Sequence, residues 1–152
     1  MPYRLKPSEP VPDGIKRVVL EEIEAAQDQL SRHSKNRDEA IHEARKSVKK
    51  IRGAIRLVEP ELGAIYREEN RRLGELGRKL SELRDAAAVI ETFDAVVAEY
   101  RDSLQENALR SVRLMLDKSK RETERTFGIQ KTVSGAMATL RATAKRVNTW
   151  PL

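Results

Sequence analysis

Apolar residues recur along the chain at spacings of three and four, and no segment alternates every second position as a half-buried strand would. Ile15, Val19, Ile23, Ala26 and Leu30 mark a first helix, opened by Pro10, Pro12 and Asp13 and ending near Ser34. Asn36, with Glu39 three residues later, resembles a capping box and starts a second helix that Pro60 stops at or before Glu59. Leu62, Ile65, Leu73, Leu76, Leu80 and Leu83 predict a third from about Glu61 to Arg84. A fourth starts at about Asp85, its capping residue, and uses Val89, Ile90, Phe93, Val96 and Val97. Ser103 with Glu106 caps a fifth on Leu104, Ala108, Val112 and Met115, and Gly128 breaks the chain before a last helix on Val133, Met137, Leu140 and Ala144. Short connections favour antiparallel neighbours. The expected architecture is all-α, an antiparallel bundle of about six helices over residues 14–148, with an N-terminal extension (1–13) and a short tail (149–152).

Composition agrees with that reading and narrows the chemistry. A chain of 152 residues suits one domain with one sizeable core, and 36% charged with 4% aromatic residues is the composition of long helices. The absence of cysteine removes disulfides and thiolate ligands. The first fourteen residues hold no apolar run of the signal-peptide kind, and the longest apolar runs fall far short of a membrane span. The expectation is a soluble, cytoplasmic protein without membrane attachment. Two distant histidines, no acids at metal-ligand spacing, no phosphate loop and no nucleophile elbow suggest no metal, cofactor or catalytic centre.

Charge changes the picture more. The net charge is only +6, but His42 to Arg56 holds six basic residues and one acid, Glu43, while Glu82 to Glu106 holds seven acids and two arginines. At about 100° per residue, His42, Arg45, Lys46, Lys49, Arg52 and Arg56 fall within an arc of roughly 120°. Ile41, Ala44, Val48, Ile51, Ile55 and Val58 occupy a separate arc of roughly 100° beside it, so a core seam and a basic face share one helix. Gly53 lies inside the basic stripe, where a missing side chain leaves room for a bulky ligand. Like charges at i, i+4 cost about 0.2–0.5 kcal/mol per pair in an isolated helix. Over a rise of about 20 Å the stripe resembles a rail for a linear polyanion, with Arg gripping phosphate oxygens and Lys adding mobile charge. A bound phosphate would favour protonated His42 as a further donor. Arg67, Arg71 and Arg78 on the third helix share a face with Gly74 and Ser81 and form a weaker echo. Packed antiparallel, the two helices would border one groove.

The segment "HEARKSVKKIR", carrying His42, Arg45, Lys46, Lys49 and Arg52, followed by "LSELRDAAAVIETFD" around Arg84 and Asp85, resembles the CHAD family of helical domains. The resemblance implies two four-helix bundles related by a pseudo-twofold, whose basic helices line a central groove that binds inorganic polyphosphate without turnover. It also implies association with triphosphate-processing CYTH domains, or residence on polyphosphate granules. The binding residues expected are His42, Arg45, Lys46, Lys49, Arg52, Arg56, Arg71 and Arg78. The chain departs from the family in length. A whole domain is about twice as long and carries a second basic histidine helix, whereas the only other histidine here is His33. The chain is thus expected to be an excised N-terminal half, or one of two copies pairing as a homodimer to rebuild the groove; the abrupt "NTWPL" ending fits excision better. Read from the residues alone, the stripe also fits a solvated face paired with the acidic segment, a nucleic-acid surface, or a purely structural bundle. The scarcity of aromatics and of Asn or Gln on the stripe argues against base stacking and base reading.

Overall fold

The computed structural model describes residues 3–32 and 36–152; the expected helix end at Ser34, like His33, lies outside them. Among the described residues six helices follow one another: α1 (Val11–Ser31), α2 (Arg37–Leu57), α3 (Glu59–Leu62), α4 (Ala64–Tyr100), α5 (Glu106–Phe127) and α6 (Ile129–Val147), with a 3-10 turn at Arg101–Ser103. The described residues contain no strand, and none of their helices is long and apolar enough to cross a membrane.

Local chemistry accounts for most boundaries. Pro12 lies in the first turn of α1, where its missing N–H has no intrahelical partner to lose. Asn36 Oδ1 accepts from Glu39 N at 3.3 Å and caps α2, an interaction worth about 1 kcal/mol. α2 ends at Leu57, and Pro60 then sits in the first turn of the four-residue α3. Gly63, at φ 53°, lets the chain reverse into α4.

Two expected boundaries do not exist. The predicted third and fourth helices are one continuous 37-residue α4, and Asp85 lies in its interior, exposed, rather than at a cap. No Pro or Gly falls between Lys79 and Tyr100, and a single Asp costs only a few tenths of a kcal/mol in a helix interior, roughly 0.7 at most. Ser103 closes the 3-10 turn instead of capping α5, whose N-cap is Gln105 with no side-chain hydrogen bond.

The core lies where α1, α2, the first part of α4 and α6 meet. Every apolar position expected on α1 and α2 is buried there, from Ile15 to Leu30 and from Ile41 to Val58. Leu73, Leu76, Leu80 and Leu83 of α4 and Val133 and Leu140 of α6 complete it. Trp150 is buried beyond the end of α6, and Lys16 Nζ donates to its carbonyl at 2.9 Å. The fifth predicted helix differs: α5 buries no residue, and Leu104, Val112 and Met115 are exposed because no described residue covers that face. Ile65, Val89 and Val96, expected as core positions, are exposed as well.

The segment before α1 is packed against the helices. Arg17 donates to both oxygens of Glu9, at 2.6 and 2.9 Å, and to the carbonyl of Arg4. The Arg17 hydrogen bonds, with that of the Lys6 backbone N–H, hold the Glu9 carboxyl down to about 2. Tyr3 Oη donates to the carbonyl of Lys50 on α2 at 2.7 Å.

Candidate functional site

Three contacts set α2 and the first part of α4 side by side and antiparallel. Arg84 Nε donates to His42 Nδ1 at 3.1 Å, Arg45 Nε to Ser81 Oγ at 2.6 Å, and Arg52 Nε to Asn70 Oδ1 at 2.8 Å. Partner numbers fall on α4 as they rise on α2. The α4 face that receives them, Asn70, Gly74, Gly77 and Ser81, is small or short at helical spacing, so the long cations of α2 lie across it. At Gly74 an added Cβ would stand 3.8 Å from Arg52 Cζ and 3.9 Å from Arg78 Nη1, which brings these two guanidinium groups from different helices together.

The stripe keeps most of its charge. Arg45 and Arg52 are held by neutral acceptors, a hydroxyl and an amide oxygen, which orient the guanidinium without cancelling it. Lys49, Arg56 and Arg78 are exposed and have no hydrogen-bond or ion-pair partner among the described residues. A recess of about 280 Å³ is lined by Lys49, Arg52, Gly53, Arg56, Tyr66 and Asn70, three cations and no carboxylate. In the absence of an anion, such like charges repel one another at close range.

Other expected residues stand differently. Lys46 Nζ is paired with Glu43 at 2.8 Å on its own helix, and that hydrogen bond pushes the ammonium pKa up. Arg71 is clamped between Glu68 at 2.9 Å and Glu75 at 2.6 Å, its pKa raised by both, so its charge is spent within α4. Lys50 turns away to the buried Glu22 at 2.9 Å. In this geometry His42 presents Nδ1 as the acceptor for Arg84, which leaves Nε2 carrying the proton. With Nδ1 engaged by Arg84, Nε2 is the His42 nitrogen left to donate to a bound phosphate. Arg84 in turn contacts Glu91 at 2.8 Å, and its buried Nη1 lacks a partner among the described residues.

The room at Gly53 is also partly taken. A Cβ there would meet Tyr3 Oη at 3.0 Å, so the glycine admits the N-terminal segment on one side while lining the recess on the other. Sequence reasoning missed Tyr66, Asn70 and Tyr3 as neighbours of the site. Asn70 was detectable as the start of the run of small and polar positions that continues through Gly74, Gly77 and Ser81. Nothing local in "MPYRLK" signals where Tyr3 docks, because that contact spans 47 positions.

No curated protein and no solved structure gives a significant match to the chain. A family model described as the CHAD domain matches residues 18–148, a span that holds α2, α4 and every cation of the basic edge. The chain belongs to the CHAD domain family.

Proposed function

We propose that the α2–α4 edge binds a linear polyanion, inorganic polyphosphate foremost, by recognition without turnover. The CHAD domain is associated with polyphosphate binding in general and is, as a family, a non-catalytic helical domain. The observation that carries the reading here is the set of exposed cations left without a carboxylate among the described residues: Lys49, Arg52, Arg56 and Arg78, drawn from two helices onto one open edge. An extended chain of phosphates lying along that edge would meet a cation at each helical turn, with Arg45 and the Nε2–H of His42 extending the row. Recruitment to polyphosphate granules, pairing of two copies and association with a CYTH domain are further steps of the same proposal.

Titration with long-chain polyphosphate at several salt concentrations tests it. With the four exposed cations Lys49, Arg52, Arg56 and Arg78 engaged, the logarithm of affinity falls with the logarithm of salt at a slope of roughly −3, by analogy with single-stranded nucleic acid. Long chains bind far more tightly than orthophosphate, since one phosphate cannot reach several turns. Asn70 stands on the edge with its amide oxygen already engaged by Arg52, and Tyr66 lies beside it. A duplex DNA or single-stranded control is therefore included. Nucleic acid competing on equal terms would replace polyphosphate as the ligand, and a salt-independent affinity would remove the edge from the account.

A further inference from the structure

A second and larger recess lies on the other side of α4. It is a cleft of about 980 Å³ between α4 and α6, bounded by the α5–α6 turn. Asn70, Gly74 and Ser81 of α4 face α2, whereas Arg72, Leu76 and Lys79 line this cleft, so one helix is the wall between two sites. The floor is apolar and low: Leu76 and Ala136 are buried, and a Cβ added at Gly135 would meet nothing within 4 Å. Phe127 stands at the rim with 40% of its surface exposed.

The charges in the cleft divide into committed and free. Arg146 is held by both oxygens of the buried Glu69, and Arg72 by Glu68 and Glu69. The lone lining carboxylate, Glu75, is taken by Arg71. Lys79, Arg125 and Lys131 remain exposed and without a hydrogen-bond or ion-pair partner among the described residues. Three free cations facing an apolar floor and an exposed aromatic ring are poorly matched to a bare phosphate chain, which has no use for Leu76 or Phe127. The volume lies in the range of small-molecule sites, which combine apolar walls with a few convergent polar groups. An aromatic face flanked by cations suits a flat ring bearing phosphates.

We propose that this cleft binds a nucleoside di- or triphosphate, with Lys79, Arg125 and Lys131 on the phosphates and the base against Phe127 and the Leu76–Ala136 floor. The proposal is independent of the α2–α4 edge. The test is calorimetric titration of the intact chain with adenosine triphosphate, guanosine triphosphate, adenosine and inorganic triphosphate. The nucleoside triphosphates bind, and the combined Lys79→Gln, Arg125→Gln and Lys131→Gln variant loses roughly a thousandfold, given that each charge-assisted contact is worth about tenfold. Phe127→Ala weakens the nucleoside triphosphates and leaves inorganic triphosphate unchanged. Lys49→Glu with Arg52→Glu, on the opposite wall, leaves nucleotide binding intact. Amide shifts of Gly128, Gly135 and Thr139 on the unmodified chain locate the ligand without any variant. Overturning results are absence of nucleotide binding at millimolar concentration, inorganic triphosphate binding as tightly as the nucleotides with no effect of Phe127→Ala, or loss of nucleotide binding on the edge variant rather than the cleft variant.

Discussion

Changing Lys49, Arg52 and Arg56 together to Glu abolishes long-chain polyphosphate binding, a loss of at least about a thousandfold if each charge-assisted contact contributes about 1.5–3 kcal/mol. The three side chains are exposed, none belongs to the apolar seam of α2, and none is paired with a carboxylate, so far-ultraviolet circular dichroism keeps its helical signal. Lys46→Gln provides the contrast. Its charge is already matched by Glu43, and its removal changes affinity far less. Affinity surviving the triple reversal within a few-fold would sink the assignment of the edge, whatever the chain binds elsewhere.

Arg146→Met lowers stability by about 2 kcal/mol, less than for a fully buried ion pair because Arg146 is about a third exposed while Glu69 is buried. Glu69 is 2% exposed on α4, and both of its oxygens accept from Arg146 on α6. Without that partner the carboxylate retains only Arg72 at 3.6 Å, in a position shielded from water. For a domain of this size the deficit lowers the unfolding midpoint by roughly 4–8 °C. The double variant Glu69→Leu with Arg146→Met recovers most of the loss, because an apolar pair of similar volume needs no compensation. A midpoint unchanged in Arg146→Met, read by thermal denaturation, shows instead that water reaches Glu69 and that the pair contributes nothing to holding α6 on α4.

How much of this was legible in the sequence depended on whether the signal was local. The seams of α1 and α2 read correctly because every residue on them packs against a neighbour within the same chain, and the Asn36 cap read correctly because its partner lies three residues away. Asp85 misled because a good capping residue carries no information about whether a helix has ended; only the run without Pro or Gly between Lys79 and Tyr100 does. α5 misled for the opposite reason. Leu104, Val112 and Met115 have the spacing of a core face, but periodicity reports that a face is apolar and not that anything covers it.

The basic edge was legible as a stripe, but not residue by residue. Helical geometry placed Lys49, Arg52 and Arg56 together, and the structure keeps them so. It could not distinguish Arg78, which is free, from Arg71, which is consumed by acids one turn to either side, although Glu68 and Glu75 sit at i−3 and i+4 in plain view. The pairing of His42 with Arg84 crosses 42 positions and required the antiparallel register. The cleft between α4 and α6 was invisible, since its cations come from three helices and look scattered when read in order.

α4 is buried along its first part and, past Ile90, contributes no buried residue, while α5, which runs back along that distal part, contributes none either. No fully buried side chain joins the two there; Phe93, Val97 and Leu109 are only partly buried, and Arg113 makes two contacts with Asp94. Partly exposed pairs of that kind contribute only about 0–1 kcal/mol each. Separating α5 from the end of α4 therefore requires far less free energy than disrupting the core, and the far end of the rod opens and recloses locally while its root stays shut. Backbone amides along one uninterrupted helix fall into two exchange regimes, quick beyond Ile90 and slow before Leu83, a division that follows burial and not helix boundaries.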